Sequence, residues 1–315
     1  MTDGRCSGNE DYRQTLHENA MMNRPPVIRV ELRGGLGNQL FQAAAGYALA
    51  TRLEGELEFE LFNFRTRTGR EFALTPFPIG GRVIHTKRTF SNRLLRKAEK
   101  TLRPFGYIHA PSWKGPVLEE KSYRYDRRIE DVAGSCYLRG YFQSWLYFHN
   151  CSTSLKQAFD PFFGASDRAK EFASAMSQDA LIVHVRAGDY LKDPKINAVH
   201  GVLDADYYHR AIQCMQKKGR ASKIYCFSDN MPAALEILKD HTNISFVEGF
   251  SAADDLFLMS QGKSHIIANS TFSYWGAWLT RSTEPIVIAP RAWFSKEELK
   301  RTDTSDLYPS NWLIM

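Results

Sequence analysis

Cysteine is scarce and scattered: the five in the chain, Cys6, Cys136, Cys151, Cys214 and Cys226, form no Cys-x-x-Cys pair and no Cys/His cluster. Neither a structural zinc site nor a disulfide framework is indicated, and reduced thiols are expected. Long apolar runs are missing as well, since no stretch approaches the roughly 18 residues needed to cross a bilayer. The opening segment Met1 to Arg24 carries acids where a signal peptide needs an apolar core, so export is not expected. Two common phosphate-binding signatures are also absent. No Gly-Lys-Ser/Thr closes a P-loop, and Leu40 stands where the third glycine of a GxGxxG fingerprint belongs. There is no internal repeat, no low-complexity tract and no recognised DNA or RNA motif, which leaves a solenoid or a nucleic-acid binder without support.

What remains is an ordinary globular composition, 43% hydrophobic and 24% charged, able to bury a substantial core. A length of 315 residues is more than one average core and suits two medium domains facing a cleft. The net charge of +6 favours anionic partners, but nucleotide-sugars, phospholipid surfaces and nucleic acid all fit such a balance. A cytoplasmic location is expected. Residues 1–26 lack any hydrophobic period and end in Pro25-Pro26, which reads as a mobile tail.

From Val27 to Leu32 a β-rich run leads into Gly34-Gly35-Leu36-Gly37-Asn38, and Gln39 to Leu53 is rich in alanine and leucine: strand, tight glycine turn, helix. Residues 62–161 mix aromatics, basic residues and turn formers without clean periodicity beyond a helix-like Ser91 to Leu102, and no topology follows from them. The second half alternates regularly. Strands are expected at Leu181–Val185, Lys223–Phe227, Ile244–Val247, His265–Ala268 and Pro285–Ala289. Helices are expected at about Asp206–Lys217, Pro232–Asp240, Ala252–Gln261 and Phe272–Thr280. Such β-α alternation predicts a parallel, doubly wound α/β sheet, with ligands bound beyond the carboxyl ends of its strands.

Those strand ends carry unusual residues. The glycine turn lets backbone amides approach a ligand, although a tight turn used only for packing explains it equally well. His184 and Arg186 share one face at the end of a strand, followed by Gly188 and Asp189. An arginine fork suits a pyrophosphate, the alternative being an ion pair with Asp189. Phe227-Ser228-Asp229-Asn230 ends the next strand, where Asp229 either meets a nucleoside or joins Asn230 in capping the following helix. Asn269-Ser270-Thr271-Phe272-Ser273 opens another helix with hydroxyl donors, an arrangement fitted to an anion. The aromatic run Tyr274, Trp275 and Trp278 reads as core packing. The basic segment Arg82 to Arg103 reads as a solvated helix face, with peripheral contact to an anionic membrane surface as the alternative.

Taken together, Arg33 to Gln42, His184 to Tyr190, Phe227-Ser228-Asp229 and Asn269 to Ser273 resemble the bacterial-type alpha-1,2-fucosyltransferases of glycosyltransferase family 11. The resemblance continues to Trp293 and Phe294 and spans all but the tail. It implies a GT-B-like fold of two Rossmann-like, doubly wound domains facing a cleft. Residues 27–165 would form the acceptor side and residues 166–315 the GDP-fucose side. It also implies inverting, metal-independent transfer of L-fucose from GDP-fucose to the 2-hydroxyl of a galactose-terminated glycan, with no cofactor. On this likeness Arg186 holds the donor β-phosphate, Asp229 contacts the guanosine, and Ser270, Thr271 and Phe272 line the pyrophosphate, with Ser228, Asn269 and Ser273 also expected to bind substrate. Asn38 and His184 lie near the fucose and count with Arg186 among the catalytic residues, Gly34, Gly35 and Gly37 bind substrate, and His184 and Asp189 are the side chains considered as proton acceptor, the departing phosphate being the alternative. Ala187 stands where the family usually has a second arginine, Tyr274 where it usually has tryptophan, and Gln261 and Gly262 also depart from the common pattern. Another nucleotide-sugar transferase of the same layout, or a non-catalytic nucleotide or glycan binder, are the rival readings.

Overall fold

The computed structural model describes residues 24–61, 71–85, 94–95, 98–99, 110, 113–188 and 194–315. The expected tail, most of the helix-like 91–102, and Asp189 with Tyr190 lie outside the described residues. Among the described residues, eleven strands form two sheets in which every ladder is parallel.

The first sheet consists of β1 (Val27–Glu31), β2 (Glu56–Glu60), β3 (Arg82–Ile84), β4 (Val117–Glu119) and β5 (Cys136–Arg139), in the order β3-β2-β1-β5-β4. The chain runs outward from β1 on one side and resumes on the other, so a topological switch lies between β1 and β5. Alternation in β1 sends Ile28 and Val30 to one face, where both are fully buried against the helix Leu36–Arg52. Arg29 and Glu31 point to the opposite face, where the sheet is ionic. Arg29 donates to Glu58 at 2.7 Å, Arg82 also pairs with Glu58, and Arg139 bridges Glu31 (3.2 Å) and Glu99. Tyr137 completes the cluster by donating to Glu31 at 3.0 Å. Runs this short and this charged carry no clean hydrophobic period, which is why residues 62–161 were illegible in the sequence.

The second sheet holds β6 (Ala180–Val185), β7 (Lys223–Ser228), β8 (Ile244–Phe246), β9 (Ser264–Ile266), β10 (Ile286–Ala289) and β11 (Leu313–Ile314). Its order, β11-β10-β9-β6-β7-β8, is the doubly wound arrangement that alternation predicted. Its switch point falls between β6 and β9. All six residues of β6 are buried, as a central parallel strand covered on both faces requires. The helices Ala205–Lys217, Met231–Ile237, Ala252–Ser260 and Thr271–Trp278 occur where periodicity placed them, with ends moved by one to three residues. β11 was not anticipated; two residues give no readable period.

The sheets do not keep separate cores. The helix Leu36–Arg52 of the first half packs on Thr271–Trp278 of the second, with Phe41 4.6 Å from Tyr274 and 5.1 Å from Trp275, ring centre to ring centre. Tyr274 and Trp275 are fully buried and Trp278 nearly so. The aromatic run is therefore core, as its spacing suggested, and it joins the two halves. The result is a GT-B-like arrangement, two parallel α/β sheets whose carboxyl ends border one cleft. No helix among the described residues is long and apolar enough to cross a membrane.

Candidate active site

The cleft is a cavity of about 500 Å³ into which both switch points open. From the first half come Gly34 to Asn38 after β1, with Tyr141 and Gln143 after β5 and Tyr123 beyond β4. From the second come His184 and Arg186 at the end of β6, Phe227 to Asp229 at β7 and Asn269 to Phe272 after β9. Ala252 and Asp255, His200, Trp293 and Phe294 complete the wall. Every site residue expected from the sequence lines this cavity except Ser273 and Asp189. Ser273 is fully buried and its hydroxyl donates to the Ser270 carbonyl at 3.1 Å, so it serves the helix start. Asp189 lies outside the described residues.

Arg186 pairs with Asp229, its Nη1 3.0 Å from Asp229 Oδ2. Asp229 in turn accepts from the amides of Ala187 and Gly188, each at 3.0 Å. A side chain at position 188 would run into this carboxylate, since a Cβ there would fall 2.4 Å from Asp229 Oδ2. Burial disfavours a charged Asp229, yet the two amides and Arg186 outweigh it and hold the carboxyl below its usual range. Asp229 therefore clamps the turn that aims Arg186, and it lines the cavity itself. The cap of the next helix is Asn230, whose side chain accepts from Ala233.

The helix Thr271–Trp278 begins at Ser270, in extended conformation, with no side-chain cap. Its first amides are thus unsatisfied from within, at the positive end of the helix and on the cavity wall. The Thr271 hydroxyl proton is committed, because it donates to Asn38 Oδ1 at 3.0 Å, and Gln143 donates to the same oxygen at 3.0 Å. Asn38 is thereby a bridge between the halves. Its neighbour Gly37 permits the closest backbone approach: a Cβ there would sit 2.4 Å from the carbonyl carbon of Thr271. Asn269 is likewise a tie, donating to the carbonyls of His200 (2.9 Å) and Gly201 (3.2 Å).

His184 is buried, and that burial together with the neighbouring Arg186 lowers its pKa to about 3. The imidazole is thereby held in its neutral form.

Sequence reasoning missed four cavity residues with chemistry. Asp255 lies in the first turn of Ala252–Ser260 and is pushed up to about 7 by burial and then by Asp254. Asp254 already forms the capping box with Ser251, so the second, surplus acid was the available signal. Tyr123, Tyr141 and Gln143 follow the short strands of the illegible stretch and had no signal. Behind Tyr141, Glu120 accepts from its amide at 2.7 Å; burial, offset by the Tyr141 and Phe142 amides and by Arg33, raises that carboxyl to about 7. The chain's one Asp-x-Asp, Asp204-Ala205-Asp206, is a helix start: Asp204 caps through the Tyr207 amide and Asp206 pairs with Arg210.

Two parallel doubly wound sheets thus border a polar cleft that carries an arginine fork and an open helix start, groups with the chemistry of an anion site. The chain belongs to glycosyl transferase family 11, whose profile matches residues 12–315. It is similar to an alpha-1,2-colitosyltransferase of Escherichia coli, 30% identical over 297 residues that cover 91% of this chain and 98% of the relative. It is also 30% identical over 287 residues to the Escherichia coli O-antigen biosynthesis glycosyltransferase WbnK, covering 84% of this chain and 94% of that one. A galactoside 2-alpha-L-fucosyltransferase, SEC1 of Bos taurus, is 24% identical over 268 residues, 81% of this chain and 65% of the bovine protein.

Proposed function

We propose that this chain transfers L-fucose from GDP-fucose to the 2-hydroxyl of a galactose residue in a glycan, with inversion and without a metal. The observation that carries the reading is the pairing, across the second switch point, of the Asp229-clamped Arg186 with the uncapped start of Thr271–Trp278. A diphosphate is the ligand such a pair suits, since the fork takes two oxygens and the helix amides take others. The bond from fucose C1 to the β-phosphate oxygen breaks, the acceptor O2 bonds to C1 from the opposite face, and GDP departs. Negative charge grows on the departing oxygen, where Arg186 and the amides stabilise it. With His184 neutral and Asp229 engaged, the acceptor proton goes to the departing phosphate.

Asp255 takes the guanosine contact. Asp255 lines the same cavity as Phe227, Ser228 and Asp229, and a carboxylate can accept two hydrogen bonds from the N1 and N2 edge of guanine. The alpha-1,2 linkage is supported by the names of the colitosyl and galactoside relatives. The colitosyl relative also supports a second donor, because colitose is L-fucose without its 3-hydroxyl. The test is mass-spectrometric assay of GDP-fucose and GDP-colitose against a panel of galactosides, with linkage analysis. Fucosyl product linked to O2 is expected; turnover of GDP-colitose alone, or of another nucleotide-sugar alone, overturns the fucose reading.

A further inference from the structure

The cleft has a second end that the donor chemistry does not use. Along the carboxyl edge of the second sheet the order β7-β6-β9-β10 takes the wall from Asp229, through Arg186 and Thr271, to Phe294 after β10. Three strand-to-strand steps of about 4.8 Å span roughly 14 Å, the order of length of an extended nucleoside diphosphate. At the β10 end the first half closes over the wall with aromatic residues. The Tyr123 ring centre lies 4.8 Å and that of His200 5.5 Å from Phe294, and the Arg33 guanidinium sits over the Tyr141 ring, 5.2 Å from its centre. The phenol groups of Tyr123 and Tyr141 line the cavity and have no hydrogen-bond partner among the described residues. Burial, Tyr141 and Glu120 push the Tyr123 phenol up to about 12, so it remains a neutral donor.

The geometry points to Tyr123 and Tyr141 as the residues that select the acceptor, by stacking on the apolar face of a terminal β-galactoside and hydrogen-bonding its rim. Half-exposed rings with spare hydroxyls match a pyranose, which pairs a C–H face with a hydroxylated edge. Galactose has its O4 axial, so H3, H4 and H5 form one continuous apolar patch. Glucose, with O4 equatorial, breaks that patch. The corner therefore discriminates between these epimers by stacking, where the opposite, ionic end of the cleft does not. This inference rests on the transferase reading for its place in the reaction, though galactoside binding can be read without turnover.

The test uses the full chain saturated with GDP and methyl β-D-galactopyranoside as probe. Saturation-transfer NMR is expected to be strongest at H3, H4 and H5, and the β-glucopyranoside should bind about tenfold more weakly. Tyr123→Leu and Tyr141→Leu should each raise the galactoside Kd or KM about tenfold, the scale of one lost aromatic contact with its hydrogen bond. Tyr123→Phe and Tyr141→Phe should recover most of it. GDP affinity, measured by calorimetry, should stay within twofold throughout, which also shows that each variant is folded. A matching loss of GDP affinity, an unchanged acceptor KM, or saturation centred on other protons overturns the assignment. Galactoside binding at this corner in an enzyme that never turns over GDP-fucose would uphold it while removing the donor reading.

Discussion

On the first sheet the charges lie in the body: Arg29, Glu31, Glu58 and Arg139 pair beneath the surface, and the cleft end offers Asn38, Tyr123, Tyr141 and Gln143. On the second the body is apolar, as in the fully buried β6, and the charges Arg186, Asp229 and Asp255 stand at the cleft end. The same kind of sheet is thus used twice with opposite placement of charge. Ions that hold one another inside a domain leave nothing for a ligand, whereas ions at strand ends beside an open helix start can exchange partners with an anion. A neutral wall opposite them suits a neutral glycan.

Removing a charge from the body of the first sheet should have the largest effect, and on folding alone. Arg139→Ala removes the guanidinium 3.2 Å from Glu31, which is 1% exposed and keeps the Tyr137 hydroxyl, and should lower unfolding free energy by about 3 kcal/mol. Chemical denaturation measures this, and GDP affinity of the folded fraction should hardly change. A large loss of GDP affinity would break the division between body and rim.

At the rim the reverse is expected. Arg186→Lys keeps the charge but loses the fork, and should cut kcat/KM about a hundredfold, near 3 kcal/mol, with little change in stability. Near-normal kinetics would remove Arg186 from the mechanism.

A smaller effect sharpens the rim further. Because the Asp255 carboxyl is pushed up to about 7, it is protonated and a poor acceptor at lower pH. GDP affinity should therefore rise with pH up to about 7 and level off above, and Asp255→Asn should weaken binding about tenfold at pH 8 while flattening that profile. A profile unchanged in the variant would exclude Asp255 as its source. The same shifts in Asp255 and Glu120 act on the fold with the opposite sign. The folded chain keeps those protons up to about pH 7, and the unfolded chain releases them near 4, so their contribution to stability is lost as pH rises through that window.

The smallest effect concerns the core that the halves share. Among the described residues the buried Tyr274 hydroxyl has no partner, so Tyr274→Phe should be neutral or stabilising by up to about 1 kcal/mol in thermal unfolding. Marked destabilisation would show that the hydroxyl is used.

Legibility followed the same division. The second half could be read because apolar strands such as Leu181–Val185 and amphipathic helices such as Ala205–Lys217 repeat at their proper periods, and its cleft residues sit directly after them. The first half hid its strands after β1, because Glu58 and Arg139 occupy positions that an apolar pattern would need, and Tyr123 and Tyr141 follow strands of three and four residues.

By itself the sequence determined the doubly wound second sheet, the glycine turn before a helix, and the grouping of Arg186, Asp229 and Thr271 at strand ends, since local periodicity and turn chemistry act over a few residues. Only the tertiary structure decided which partner each polar group takes. It made Asp229 the clamp on Arg186 and Asn38 the bridge between halves, left His184 neutral, and brought Tyr123 beside Phe294, 171 residues later in the chain. Those outcomes depend on burial and on distances between segments far apart in sequence, which no local pattern encodes.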